Sequence, residues 1–227
     1  MIRVAIAGTG RMGQAIAAGL EQRDDMELAG LWGRGDDLNK LVENSDVLID
    51  FSLPEGTAEV LDVVARHGKP LVCGVSGLDD ELMAGLDKAA ASAPVLYDRN
   101  MSLGVAVLER LVRQAAASLG TDFSVEISEV HHVHKKDAPS GTALKLGEAA
   151  AQARGEAGTG SVAFSSERRG EVPGDHDVVI SSPTERLTLA HSATTRQVFA
   201  DGAIRAARWI VGQEPGRYAM SDVLFGN

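Results

Sequence analysis

The stretch Ile2-Arg3-Val4-Ala5-Ile6-Ala7-Gly8-Thr9-Gly10-Arg11-Met12-Gly13 decides the fold. A short β-rich run leads straight into G-x-G-x-x-G, and the residues after it predict a helix over 11–22. Strand, glycine turn and helix, in that order, form the context in which this pattern binds a dinucleotide. Gly8 permits the tight turn, Gly10 leaves backbone N–H groups open to a pyrophosphate, and Gly13 lets helix and strand pack closely. Thr9, Arg11 and Met12 complete the loop. The competing reading is a plain strand-to-helix turn that needs glycine only for its geometry.

Working outward, strands are expected near 27–32, 46–50, 70–73 and 94–98, and helices near 55–67 and 79–91. This alternation is the pattern of a parallel sheet flanked by helices, a Rossmann-like α/β fold. The second strand ends in Gly33-Arg34 where an NAD-specific site carries an acid. Arg34 can pair with a 2′-phosphate, so NADPH is expected, alongside NADH if Asp36 or Asp37 takes the ribose hydroxyls. Gly74-Val75-Ser76-Gly77 and Arg99-Asn100-Met101-Ser102 fall at the C-terminal ends of strands, where open sheets bind ligands, and would line the nicotinamide end.

At 227 residues and 44% hydrophobic, the chain can divide its core between a cofactor domain and a smaller partner. No stretch of the length a membrane helix needs is continuously apolar, and the first apolar run is too short for a signal peptide, so a cytoplasmic protein without a membrane partner is expected. Cys73, the single cysteine, excludes an intramolecular disulfide and a cysteine-rich metal cluster. The net charge of −10 argues against nucleic acid. Two basic islands stand out, His131-His132-x-His134-Lys135-Lys136 and Arg168-Arg169, and are candidate anion sites.

After Ser102 the pattern changes. A helix is expected over 105–117, a strand over 123–130, a helix over 140–154 and a mobile glycine-rich connection over 155–160. Strands at 161–166, 175–181 and 186–192 imply a partly antiparallel sheet, and a helix over 203–211 closes the chain. The plan is a dinucleotide-binding domain of 1–103 plus 197–227, with an inserted α+β domain at 104–196.

The run Glu129-Val130-His131-His132-Val133-His134-Lys135-Lys136-Asp137-Ala138-Pro139-Ser140-Gly141-Thr142-Ala143 carries the chemistry. Pro139 cannot continue a helix backward and Ser140 or Thr142 can cap one starting here, so the N–H groups of Gly141 and Thr142 would be donors at its positive end, suited to a carboxylate. In an extended strand His132 and His134 would share one face and His131 the other, and nearby lysines repel a dication, so no metal is expected. A histidine and a lysine four residues apart read instead as proton donors and anion ligands. A lysine among other cations has its pKa lowered, which makes it a usable acid near neutral pH. These features suggest a reductase that passes hydride from a nicotinamide to a small dianion. A thiolate role for Cys73, as in an acylating dehydrogenase, lacks an assigned base, and a cofactor sensor without activity leaves the basic run without a purpose.

The run from Glu129 to Ala143 closely resembles the signature of the dihydrodipicolinate (4-hydroxy-tetrahydrodipicolinate) reductase family of the diaminopimelate and lysine pathway. The resemblance extends to Gly8–Gly13, Asp50-Phe51-Ser52, Gly74–Gly77, Asn100–Val105 and Phe199–Ala203, so it covers nearly the whole chain. It implies that His131 is the general acid and that Lys135 donates a proton and pairs with substrate. His132, Ser140, Gly141 and Thr142 would hold the ring carboxylates of a cyclic imine. Gly8, Arg11, Met12, Arg34, Gly74, Ser76, Asn100 and Ser102 would contact NADPH or NADH, and the inserted domain would join a homotetramer. The chain departs from the family pattern in a glycine loop one residue shorter than in many relatives, in the lack of an acid before Arg34, in Arg99 at a usually small position, and in an abbreviated 155–167.

Overall fold

A computed structural model describes residues 1–226. In chain order the first elements are β1 (Ile2–Ala7), α1 (Arg11–Leu20), β2 (Met26–Trp32), α2 (Leu38–Glu43), β3 (Val47–Asp50), α3 (Pro54–His67), β4 (Leu71–Cys73), α4 (Asp80–Ala90) and β5 (Pro94–Tyr97). There follow α5 (Leu103–Leu119), β6 (Ser124–His131), α6 (Gly141–Ala153), β7 (Val162–Arg168), β8 (Asp175–Ser181), β9 (Arg186–Ser192), α7 (Gln197–Ile210), β10 (Gly216–Tyr218) and α8 (Met220–Phe225). Two compact units result, one of Met1–Ser102 with the segment from Gln197 onward, the other of Leu103–Arg196.

The first unit is built on a six-stranded sheet in the order β10-β5-β4-β3-β1-β2, with every pairing parallel. Parallel strands covered on both faces become continuous apolar runs, as Val47, Leu48 and Ile49 show at 0% exposure. The helices start and stop where side-chain chemistry dictates. Asp79 accepts from Leu82 N at 2.9 Å at the start of α4, and Pro54 occupies the first turn of α3. Three short elements have no counterpart in the expected pattern: α2, capped by Asp37, β10, which adds the sixth strand, and α8. The helix expected to close the chain, α7, is longer than expected, begins at Gln197 rather than 203, and is followed by β10 and α8.

The second unit has a four-stranded sheet in the order β7-β6-β8-β9, where β6 pairs parallel with β7 and antiparallel with β8. Leu108 and Val112 of α5 and Leu146 of α6 pack with Val125, Ile127, Val178 and Ile180 in its core. Alternation along β6 puts Val125, Ile127, Glu129 and His131 on the buried side, so an apolar face ends in a carboxylate and an imidazole. The strand stops at His131, and Lys135 N donates to His132 O at 3.1 Å in a turn. The strand-face alternation expected for His132 and His134 therefore does not apply. The 155–160 connection, expected to be mobile, is tied at its start, where Gly155 N and Glu156 N donate to Gln152 O and Ala151 O. Among the described residues no helix is long and apolar enough to cross a membrane.

Candidate active site

In the first unit the strand order reverses between β1 and β3, and the loops leaving those two strands meet. Gly8 has φ +109°, and a Cβ there would lie 2.6 Å from Phe51 O, so only glycine fits on both counts. The opposing loop is fixed by Asp50, whose carboxylate accepts from Ser52 N at 2.9 Å, Ser52 Oγ at 2.6 Å and Thr57 Oγ1 at 2.8 Å. Burial pushes the Asp50 carboxyl up against those bonds. The Phe51 ring lies over Gly74, where a Cβ would sit 2.4 Å from Cζ.

Gly10 precedes α1 without a side-chain cap, and nothing lies within 4 Å of where its Cβ would be. Thr9, Gly10 and Arg11 are exposed, Met12 is half-buried and Gly13 is buried. Uncapped N–H groups at a helix start with open space in front suit a pyrophosphate, so these residues fit a dinucleotide.

At the end of β2, Gly33 N donates to Asp36 Oδ2 at 2.9 Å, and Trp32 Nε1 donates to Asp36 O at 3.1 Å. Asp37 is spent on α2, accepting from Lys40 N at 3.1 Å. Of the two acids noted from sequence, Asp36 alone is drawn back to the strand end, where a Gly33 Cβ would lie 3.1 Å from the Thr9 methyl. Arg34 is exposed beside it. Asp36→Ala is accordingly expected to shift the ratio of kcat/KM values toward NADPH by about tenfold, because it removes a carboxylate that repels a 2′-phosphate. Steady-state rates with both cofactors check this, and an unchanged ratio means that Asp36 does not face the ribose.

Val75 is buried and Ser76 exposed after β4. After β5, Arg99 is exposed and Asn100 half-buried, while Met101 and Ser102 are buried. Buried Asp98 organises that loop by accepting from Asn100 N at 3.2 Å and from Met220 N, in α8, at 3.2 Å. Asn100 Oδ1 in turn accepts from Ser102 N at 2.8 Å. Cys73 is fully buried, with Sγ 3.9 Å from Asp50 Oδ2, and burial pushes its thiol far up. A thiol held protonated there does not serve as a nucleophile.

In the second unit the centre is Glu129, 1% exposed. Its carboxylate accepts from His131 Nδ1 at 2.5 Å, from Arg168 Nη1 at 2.9 Å and Nη2 at 3.0 Å, and from Ser140 N at 3.2 Å. Burial pushes Glu129 up, but the bonds from Arg168 and His131 outweigh it and hold the group below the ordinary carboxylate range. Arg168 also donates to Lys135 O at 3.2 Å and Asp137 O at 2.5 Å, and so fastens the basic loop to the strand end. This half of the Arg168-Arg169 island is an internal clamp rather than an anion site, and Arg169 pairs with Glu167 at 3.5 Å.

His131 is 7% exposed, and its burial lowers the imidazole pKa, Lys135 and Arg168 adding to that while Glu129 pushes back. The neutral ring gives its Nδ1 proton to Glu129 and presents Nε2. A Cβ at Gly174 would come within 2.9 Å of that Nε2, so glycine keeps the atom uncovered. His176 stands edge-on to His131 with ring centroids 5.1 Å apart, and its Nε2 lies 3.2 Å from Ser140 Oγ. Burial and the neighbouring His131 push His176 down to about 3, so it is neutral.

Ser140 is the N-cap of α6, its Oγ accepting from Ala143 N at 3.1 Å. Ser140 and Thr142 are buried and Gly141 half-buried. His132 is half-buried, and burial and Arg196 lower its pKa. Lys135 does not stand among cations alone, since its Nζ pairs with Asp137 Oδ2 at 2.8 Å. The structure thus gathers His131, Lys135 and Ser140 around Glu129 and Arg168, while His132 and His134 turn off together, their rings 6.0 Å apart. Sequence reasoning gave no role to Glu129, His176 or Asp137, and gave Arg168 the wrong one. Of the three without a role, only Glu129 left a signal, an acid in step with Val125, Ile127 and His131.

A parallel sheet with an open glycine loop, joined in one chain to a carboxylate-oriented histidine beside a lysine, defines a nicotinamide-dependent oxidoreductase. Family models described as "Dihydrodipicolinate reductase, N-terminus" and "Dihydrodipicolinate reductase, C-terminus" match residues 2–101 and 104–224. The chain belongs to the dihydrodipicolinate reductase family, whose members use NADH or NADPH. It is 43% identical over 241 residues to the 4-hydroxy-tetrahydrodipicolinate reductase of Zymomonas mobilis, covering 96% of this chain and 95% of that one. With the Campylobacter jejuni enzyme of the same name it shares 41% identity, over 99% of each chain. Among solved structures, the dipicolinate-bound dihydrodipicolinate reductase of Paenisporosarcina sp. TG-14 aligns at TM-score 0.83 and 24% identity, over 99% of this chain and 100% of that one. A DAP dehydrogenase of C. glutamicum in complex with DAP aligns at TM-score 0.60 and 14% identity, over 97% and 93%. These two structural likenesses concern the fold.

Proposed function

We propose that the chain reduces 4-hydroxy-tetrahydrodipicolinate to tetrahydrodipicolinate in diaminopimelate and lysine biosynthesis, as a cytoplasmic homotetramer joined through the unit of Leu103–Arg196. The observation that carries the chemistry is the Glu129–His131 pair at 2.5 Å beside Lys135 and the start of α6, in a chain of this family. The first unit binds the dinucleotide through Gly8–Gly13, Arg34, Gly74–Ser76 and Arg99–Ser102; the second binds the substrate. Bound NADPH or NADH supplies the hydride to ring C4, from which the 4-hydroxyl departs as water.

That departure needs one proton. His131, oriented by Glu129, holds it at Nε2 as the general acid, and the Lys135 ammonium is a second donor that also pairs with a ring carboxylate. The N–H groups of Gly141 and Thr142, with Ser140 and His132, hold the carboxylates of the cyclic imine. The test couples the protein to dihydrodipicolinate synthase supplied with pyruvate and aspartate semialdehyde, and follows loss of reduced-nicotinamide absorbance. Oxidation that depends on the synthase is expected, and its absence despite cofactor binding would overturn the reading.

The lowered His131 pKa has a kinetic signature. The acid form is required and is lost as pH rises, so kcat/KM should fall with increasing pH through an inflection below the usual imidazole range. The two carboxylates of bound substrate favour the imidazolium, so the matching limb of kcat should lie at higher pH. A pH series of both parameters checks this, and coincident inflections would show that substrate does not approach His131.

A further inference from the structure

Two donors assigned above to the substrate's carboxylate are already engaged by a carboxylate of the chain itself. The Lys135 ammonium lies 2.8 Å from Asp137 Oδ2, and the same side chain accepts a hydrogen bond from the backbone N–H of Gly141, the first residue of α6. We propose that Asp137 is a stand-in for the substrate's carboxylate, seated on Lys135 and the α6 N-terminus in the free enzyme and displaced when substrate binds. The inference deepens the reading of this site as a reductase site and rests on it.

Three features support displacement rather than a fixed structural bond. The Asp137 side chain is 57% exposed, so it can leave into water without a burial penalty. Its backbone is anchored separately, because Arg168 Nη2 holds Asp137 O at 2.5 Å, and the side chain can swing without loosening the loop. Desolvation opposes its charge, yet the bond from Lys135 keeps the carboxyl below the ordinary range, so the ionised form competes throughout the working pH range. A mobile carboxylate there has two consequences. It keeps a Lys–helix-end site paired when no ligand is bound, and it sets affinity by competition, which disfavours monoanions with only one carboxylate to offer. When Asp137 leaves, the Lys135 ammonium faces the substrate alone.

The test is equilibrium binding of dipicolinate, with Asp137→Asn and Asp137→Ala compared against the unaltered protein. Each variant is expected to bind dipicolinate about three- to thirtyfold more tightly, because an exposed competing ion pair is removed. Glu171→Gln is the control for a simple change in net charge: Glu171 is exposed and pairs with His134 at 3.3 Å, and no comparable gain is expected. Unchanged or weaker binding in both Asp137 variants would overturn the inference and make Asp137 a residue that orients Lys135. An equal gain in Glu171→Gln would overturn it in favour of bulk charge. Failure of the unaltered protein both to bind dipicolinate and to oxidise cofactor in the coupled assay would instead remove the functional reading, and this inference with it.

Discussion

His131→Ala and Lys135→Ala should each lower turnover by about a hundredfold or more, with little change in cofactor affinity. The expectation follows from where the side chains lie. His131 is the one group in the cluster whose outward nitrogen is kept open, by Gly174, while its other nitrogen is fixed on Glu129. Lys135 brings a positive charge next to the α6 start on a loop held by Arg168. Both serve the same proton and the same dianion, so the double variant should lose little more than the worse single one. Cofactor affinity is spared because the glycine loop and its supports belong to the unit of Met1–Ser102. Single-turnover rates and fluorescence titration with NADPH measure the two quantities. Turnover like that of the unaltered protein in both single variants would refute the assigned roles.

Glu129→Gln should be damaging in two separable ways. The amide leaves the partly buried Arg168 guanidinium without its bidentate anion, which costs about 3 kcal/mol of stability. The amide can also present either a donor or an acceptor to His131 Nδ1, so the tautomer is no longer dictated, and turnover should fall by roughly a hundredfold even where the protein remains folded. Chemical denaturation reads the first effect, and turnover below the melting range reads the second. A destabilised variant with full turnover would show Glu129 to be purely structural.

Much of the first unit is legible in its amino acids because its signals are local. Gly8, Gly10 and Gly13 lie within one turn, Asp79 caps the helix it precedes, and the apolar runs of β1 and β3 need no partner to be recognised. The short elements are not legible in this way. The three residues of β10 acquire strand geometry only by pairing with β5, and the six of α2 depend on one capping carboxylate. Gly202 sits just before the expected start of α7 at 203, yet a Cβ there would lie 1.7 Å from Met101 O, so it is a packing glycine inside the helix.

The site divides similarly. His131, Lys135 and the α6 start sit in one run and are readable together. Arg168 comes 37 residues after His131 and finds Glu129 only because parallel pairing of β6 with β7 sets His131 opposite Arg168. His176 enters through antiparallel pairing that sets it opposite Glu129. Register of that kind is a property of the folded sheet, and nothing in the spacing of the residues announces it.

Asp98 ties together two places that are far apart in the chain, the loop after β5 and the first residue of α8. The final helix therefore acts as a latch on Asn100. Fraying at the C-terminus, whether from an appended tag, a nick or a shortened gene, would take one donor from a buried carboxylate and slacken that loop. Such damage would present in kinetic assays as a cofactor defect, although no residue of the tail is assigned to the cofactor.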